Sequence, residues 1–278
     1  MRPITATTEV AGLIGTPVRQ SLSPVLHNAA YRALGLDWAY VAFDVAPGQA
    51  KDAIAGARAL GLIGLSVTMP HKDEAARSAT RRSQTVRRLQ AANTLTFEKG
   101  EILADSTDGQ GFVEDLREGL GFEASDRRCG VIGAGGAARA VILALAEAGA
   151  KEVLVVNRTP VRAFRAAALA GRAGRVARPE ELDAADLVVQ ATAAEMVPGE
   201  SGPALWPAGA DPSRLGSGQV AVDLVYDPIE TKWLAEASRC GATTRNGLGM
   251  LVHQAALQVT RWTGRQAPLR AMRAAVKA

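Results

Sequence analysis

The stretch Cys129-Gly130-Val131-Ile132-Gly133-Ala134-Gly135-Gly136-Ala137-Ala138 decides the fold. Residues 129–132 read as a short buried strand, and an Ala-rich helix opens directly after the glycines. Gly133 permits the tight turn between them, and Gly135 lets a ligand approach the backbone. The helix N-terminus then offers unpaired N–H groups and the positive end of a dipole to phosphates. The run is a variant of the dinucleotide fingerprint in which a second glycine directly follows Gly135. A tight turn that binds nothing would share the glycines, but the strand before and the helix after favour the fingerprint. Gly133, Ala134, Gly135, Gly136 and Ala137 are therefore candidate cofactor contacts.

The residues that select the cofactor come about 20 positions later, at the end of the second strand. A site for NAD places Asp or Glu there, whereas this chain has Asn157-Arg158-Thr159, with Arg162 one helical turn on. A guanidinium pairs with a ribose 2′-phosphate through charge-assisted bonds that a carboxylate would repel. The expected cofactor is NADP (NADPH) rather than NAD. Thr159-Pro160 would also cap the next helix, and both readings can hold together.

Outward from this point, β-rich runs alternate with helical segments, the pattern of parallel α/β sheets. Downstream, strands are expected at 152–156, 187–190 and 220–224, an irregular loop at 199–218, and helix from 250 on. Upstream, residues 10–14 read as the first strand. Ser23 and Pro24 have the chemistry of an N-cap and a first helical residue for a helix reaching about Leu34. Strand 38–45, helix 49–60 and strand 62–67 follow, then one Ala/Arg-rich helix from about Asp73. Segments 94–97 and 101–104 form a hairpin around Lys99-Gly100, and 109–120 is a helix before a polar connector at 121–128. The fold class is α/β, and 278 residues suggest two domains.

Composition excludes several classes. The excess of 32 basic over 28 acidic side chains is small, and aromatics are only 4%, so no nucleic-acid face is indicated. The arginines at 77, 81, 82, 87 and 88, and most of those from 158 to 178, read as solvated helix faces. Cys129 and Cys240 read as buried small hydrophobes without metal spacing. No apolar stretch approaches the roughly 18 residues of a membrane helix, so no membrane partner and a cytoplasmic location are expected.

Three polar loops follow strands in the first half: Gln20-Ser21-Leu22-Ser23-Pro24, Val67-Thr68-Met69-Pro70-His71-Lys72 and Asp105-Ser106-Thr107-Asp108-Gly109. Parallel strands bring such loops to one sheet edge. Lys72 and Asp108 can therefore meet, ringed by hydroxyls of Ser21, Ser23 and Thr68, which suits a polyhydroxylated acid. Reducing a ketone needs a proton at oxygen as hydride reaches carbon, and a shielded lysine held by an aspartate can supply it. Taken alone, such a pair is more often an ordinary surface ion pair. His27, His71 and His253 are not required by this pattern and receive no catalytic role.

With these residues in place the chain resembles the shikimate dehydrogenase family over residues 10–264. The likeness rests on Ser21-Leu22-Ser23-Pro24 with His27-Asn28, Val67-Thr68-Met69-Pro70 with Lys72, Ala92-Asn93-Thr94-Leu95, and Thr107-Asp108-Gly109 with Gly111-Phe112. Gly133 to Ala138, Asn157-Arg158-Thr159, Asp223-Leu224-Val225-Tyr226 with Pro228, and Asn246-Gly247-Leu248-Gly249-Met250-Leu251 with Gln254 complete it. The resemblance implies reversible conversion of 3-dehydroshikimate and NADPH to shikimate and NADP, an oxidoreductase step of aromatic amino-acid biosynthesis. It implies Lys72 and Asp108 as the catalytic pair and Ser21, Ser23, Thr68, Asn93, Tyr226 and Gln254 as substrate contacts. Thr192, Leu224 and Gly247 join the cofactor contacts. It also implies a substrate domain with a mixed, mostly parallel sheet (1–108 plus 249–278) and a Rossmann-like NADP-binding domain (109–248), in a monomer or homodimer. Ser23 as a mere cap, Tyr226 as a core aromatic and Gln254 as a solvated position are the plainer readings.

The chain departs from the family's pattern in several places. Gln20 stands where the family often has His. Ser66 and Ser106 replace asparagines, which is expected to shorten the hydrogen-bonding side chains around Lys72 and Asp108. Glu195 occupies a loop position that the family gives to glycine. Quinate or an aminated shikimate analogue therefore stand as alternative substrates, and a catalytically silent ligand- or cofactor-binding relative as an alternative function.

Overall fold

The apolar run at residues 10–14 becomes strand β1 (Glu9–Gly15), in a computed structural model that describes residues 3–192 and 206–276. Glu195 lies outside the described residues, as does the first part of the loop expected at 199–218. Two compact units emerge: one runs to Gly111 and resumes at Leu251, and the other is Phe112–Met250.

In the first unit β1 leads to α1 (Ser23–Ala33), β2 (Trp38–Asp44), α2 (Ala50–Ala59) and β3 (Gly64–Val67). Then come α3 (Lys72–Ser78), β4 (Arg81–Arg82), α4 (Gln84–Leu89), β5 (Thr94–Glu98), β6 (Glu101–Asp105) and the start of α5 (Asp108–Leu120). The six strands lie in the order β2-β1-β3-β5-β6-β4. All run parallel except β5, which is antiparallel to β3 and β6. Lys99 and Gly100 turn the β5–β6 hairpin with φ of 50° and 79°, the paired positive values of a tight hairpin turn.

Two expectations need correction here. The single helix from Asp73 is two helices separated by β4: Ala79 turns extended and ends α3, and the Ser83 hydroxyl accepts from Val86 N–H, starting α4 anew. Arg81 and Arg82 accordingly form a strand, not a helix face. Ser23 is already inside α1, with Leu22 at the cap, and the Ser21 hydroxyl accepts from the Ser23 N–H at 3.3 Å.

In the second unit β7 (Arg128–Ile132) opens α6 (Gly136–Glu147), followed by β8 (Glu152–Val156), α7 (Pro160–Ala167), β9 (Gly174–Val176), β10 (Leu187–Gln190), β11 (Val220–Asp223), α8 (Lys232–Arg239) and β12 (Thr243–Asn246). The order β12-β11-β10-β7-β8-β9, parallel throughout, is the doubly wound arrangement of Rossmann-like folds. Both sheet faces are buried. Cys129 and Val131 pack to one side with Val153, Val155 and Val189, while Ile132, Leu154 and Val188 pack to the other. That two-sided burial is why these strands read as unbroken apolar runs. Cys129 is fully buried, and burial pushes its thiol up to about 12. Cys240, expected to be buried, is half-exposed at the end of α8.

The chain returns to the first unit with α9 (Leu248–Thr263) and α10 (Leu269–Val276). Val252, Ala255, Ala256, Val259 and Trp262 of α9 pack against Ala11 and Leu13 of β1 and Tyr31 of α1. No described helix is long and apolar enough to cross a membrane.

His27 on α1 is fully buried, stacked on Tyr40 with ring centroids 4.0 Å apart. Its Nδ1 lies 2.9 Å from the Ser23 carbonyl oxygen, which can only accept, so the proton sits on Nδ1. Burial lowers its pKa to about 4. The Ser23 carbonyl opposes this, as does the nearby Gln258 side chain, although Nε2 has no partner at hydrogen-bonding geometry. An unfolded chain binds the proton near 6.5 and the native state only near 4. The contribution to stability is thus intact above pH ~6.5 and is lost as pH falls toward 4, by roughly 3 kcal/mol in all. Melting curves of wild type and His27→Asn between pH 7 and 4.5 should diverge, with the variant showing the shallower decline. Parallel declines would remove His27 as the cause.

Candidate active site

One sheet edge of the first unit gathers the candidate residues, and strand direction explains how. The carboxyl ends of parallel β1, β3 and β6 lead into the loops that carry Ser21 and Thr68 and into the first residues of the helices that follow, Ser23, Lys72 and Asp108. Because β5 runs the other way, its beginning lies at that same edge, as the pairs Ser66–Thr94 and Thr94–Asp105 show. Asn93, which immediately precedes β5, is thereby carried to the loops from the opposite chain direction. Its main-chain N–H donates to Asp105 O and its carbonyl accepts from Val67 N–H.

Lys72 and Asp108, each the first residue of its helix, meet there. Lys72 Nζ donates to Asp108 Oδ2 at 2.6 Å, with side-chain exposures of 17% and 9%. This is a shielded pair rather than the exposed kind that contributes little. Asp108 suits a helix N-terminus, but an ammonium there is electrostatically unfavourable, so the helix itself gives no reason for Lys72. The other carboxylate oxygen, Oδ1, accepts from Asn93 Nδ2 at 2.7 Å. Asn93 Nδ2 also faces Thr107 Oγ1 at 3.0 Å and Gln254 Oε1 at 3.3 Å. Gln254 on α9 is buried and reaches the group because Gly111 on α5 carries no side chain; a Cβ there would lie 2.6 Å from the Gln254 nitrogen.

Lys72, Asp108, Asn93 and Gln254 are thus joined directly. Ser21 and Thr68, on the flanking loops, are half-buried, and Ser23, the first residue of α1, is buried; all three lie outside this directly bonded group. Tyr226 lies in the second unit, half-buried after β11. The expectation for Ser66 is overturned: its hydroxyl bonds Tyr40 and Gln258 on β3's buried face and touches neither Lys72 nor Asp108. Ser106 donates its N–H to Asp105 Oδ1. Among residues given no site role from sequence, Thr94, Thr107 and Gln258 bond Asn93 directly. The signal for Gln258 is its spacing four residues after Gln254, one helical turn along an otherwise apolar face.

In the second unit the ends of β11, β10, β7 and β8 lie side by side and carry Leu224, Thr192, Gly133 and Asn157. Gly133 has φ of +117°, and a Cβ there would press on Ala191 O and Thr192 Cγ2, both at 3.1 Å. Gly135 faces open space at the N-cap of α6, with Gly136 and Ala137 half-exposed in the first turn and Ala134 half-exposed before it. The first N–H groups of that helix have no intrahelical acceptor. Thr192 N–H donates to Gln190 Oε1 at 2.6 Å, and Asn157 Nδ2 to Thr159 O at 3.1 Å. Arg158, Thr159 and Arg162 are exposed, and among the described residues no carboxylate pairs with either guanidinium. Gly247 follows β12 and donates to Val225 O at 3.1 Å; any Cβ on it would collide with the Leu224 backbone. The glycine turn, the open helix end and the two guanidinia make a fitting cradle for a phosphorylated dinucleotide.

Comparison with known proteins agrees in both units. Residues 13–95 match the model of the shikimate dehydrogenase substrate binding domain, 116–199 that of shikimate / quinate 5-dehydrogenase, and 247–277 that of the shikimate 5'-dehydrogenase C-terminal domain. Shikimate dehydrogenase (NADP(+)) of Methanopyrus kandleri is 43% identical over 98% of this chain and 96% of its own. The crystal structure of shikimate 5-dehydrogenase from Thermus thermophilus in complex with NADP(H) and shikimate superimposes with a TM-score of 0.85 at 34% identity, covering 97% of this chain and 99% of that one. A 5-ketofructose reductase of a Gluconobacter strain also superimposes, with a TM-score of 0.83 at 28% identity over 98% and 99% of the two chains.

Proposed function

The chain belongs to the shikimate dehydrogenase family, and from that premise we propose how its own residues carry out the family's reaction. The enzyme is an NADP-dependent oxidoreductase that interconverts 3-dehydroshikimate and shikimate. The observation that supports the assignment of roles is the shielded 2.6 Å contact between Lys72 Nζ and Asp108, anchored on its far oxygen by Asn93.

In the reducing direction the Lys72 ammonium gives a proton to the ketone oxygen, and in the oxidising direction the same nitrogen takes the hydroxyl proton. Asp108 holds that nitrogen in place and balances its charge. Asn93, Gln254, Thr68, Ser21, Ser23 and Tyr226 bind the hydroxyls and carboxylate of the substrate. NADP, when bound, accepts or returns the hydride. Gly133, Ala134, Gly135, Gly136 and Ala137 would hold its pyrophosphate, Asn157, Arg158, Thr159 and Arg162 its 2′-phosphate, and Thr192, Leu224 and Gly247 the remainder. The first unit serves as the substrate domain and the second as the cofactor domain.

The test is an absorbance assay at the NADPH band with shikimate and, separately, quinate. The existence of a ketofructose-reducing relative on the same fold makes the second substrate a necessary arm. Shikimate should give the higher kcat/KM; a higher value for quinate would overturn the substrate assignment while leaving the reaction class.

A further inference from the structure

Behind Asn93 runs a chain of hydrogen bonds whose direction is fixed at both ends. The Asp108 carboxylate can only accept, so Asn93 turns its NH2 toward it, at 2.7 Å. The Thr107 backbone N–H can only donate, and it meets Asn93 Oδ1 at 2.9 Å, which fixes the same amide from the other side. Thr94 Oγ1 spends its one proton on Asn93 Oδ1 at 2.7 Å and must therefore accept from Gln258 Nε2 at 3.0 Å. The second Nε2 proton reaches Asn93 O at 3.3 Å. Gln258 Oε1 is then left to accept, and it does so from Ser66 Oγ at 2.7 Å, which in turn accepts from the Tyr40 hydroxyl at 2.6 Å. Burial pushes the Tyr40 phenol well above its ordinary pKa, against a smaller opposing effect of Ser66, so it stays a donor. Every member from Tyr40 to Asn93 is buried.

We infer that Gln258 is a positioning residue for Asp108: its amide, set between Ser66 and Thr94, holds Asn93 with its NH2 turned to the carboxylate. This inference rests on the roles assigned above to Lys72 and Asp108. A donor chain of one polarity strengthens each of its links, and its last bond falls on an ion, where a hydrogen bond contributes most. Removing the Gln258 amide frees Thr94 to turn its proton elsewhere, and Asn93 then lacks one of the bonds that fix its orientation. Gln258 itself touches no reacting atom.

Gln258→Met keeps the shape and removes the amide, Thr94→Val removes the hydroxyl, and the double variant closes a cycle. Each single change should lower kcat about 10-fold, the scale of one hydrogen bond to an ion, with KM for shikimate little changed. The double variant should be no slower than the worse single one, because both changes cut one chain. Losses that multiply, or a lower melting temperature with unchanged kcat, overturn the inference. If Gln258→Met does not fold, Ser66→Ala must still lower kcat at unchanged KM, and an unchanged kcat there overturns it equally. A measurement without substrate separates this inference from the reaction: acetic anhydride should label Lys72 several-fold faster in the Gln258 variant, since a misplaced carboxylate holds the amine less firmly. Absence of shikimate turnover in wild type would defeat the assigned reaction, while an unchanged labelling rate would defeat the role of Gln258.

Discussion

Lys72→Ala should lower kcat for shikimate oxidation by about 10³- to 10⁴-fold, the upper part of the range for a positioned proton carrier. KM for shikimate stays within about 3-fold, because the hydroxyl and amide groups that bind the ground state remain in place. The two effects separate because the proton moves only in the transition state. Lys72→Arg should not restore turnover: a guanidinium keeps the charge but does not release its proton near neutrality. Steady-state kinetics with thermal unfolding alongside distinguishes lost chemistry from lost fold. A loss of less than about 10-fold in kcat would take Lys72 out of the mechanism, since even modest acid–base catalysis exceeds that.

Arg158→Ala combined with Arg162→Ala should raise KM for NADP by about 100-fold or more, since two charge-assisted bonds to the 2′-phosphate would disappear together. KM for NAD, which lacks the 2′-phosphate, changes little. Both guanidinia are exposed, so the wild-type preference for NADP should also weaken as salt is raised. Measuring both cofactors at two ionic strengths checks the assignment. Equal losses with NADP and NAD would place the arginines' contribution in the fold rather than in cofactor choice.

The cofactor half is legible in the sequence because physics marks it twice. Strands buried on both faces appear as continuous apolar runs, and the glycine turn falls between one of them and its helix. The edges are harder to see: β9 (Gly-Arg-Val) and β12 (Thr-Thr-Arg-Asn) are short, partly exposed and polar, with no apolar signal to read. The break between α3 and α4 is hidden by an Ala/Arg composition that continues across it, and only Ser83 marks it. Sequence alone misplaces Ser66 because its neighbours along the chain are site residues, whereas the alternation of a strand turns its side chain to Tyr40 and Gln258. Lys72 and Asp108 can be paired in advance from the order of strands and loops. The network behind them cannot, because the spacing that sets Gln258 one turn after Gln254 does not say which groups the two amides meet.

Strand β5 enters the sheet against the direction of its neighbours, which puts its first residue beside Asp105 and its last, Glu98, at the far end next to the turn. The reversal segregates the hairpin: its base carries Asn93, and its tip, Lys99-Gly100, is exposed at the opposite margin. That tip is the natural splice point for a reporter or an inserted module, since foreign sequence there lengthens a solvent-facing bend and leaves the Asn93 end of the ladder untouched.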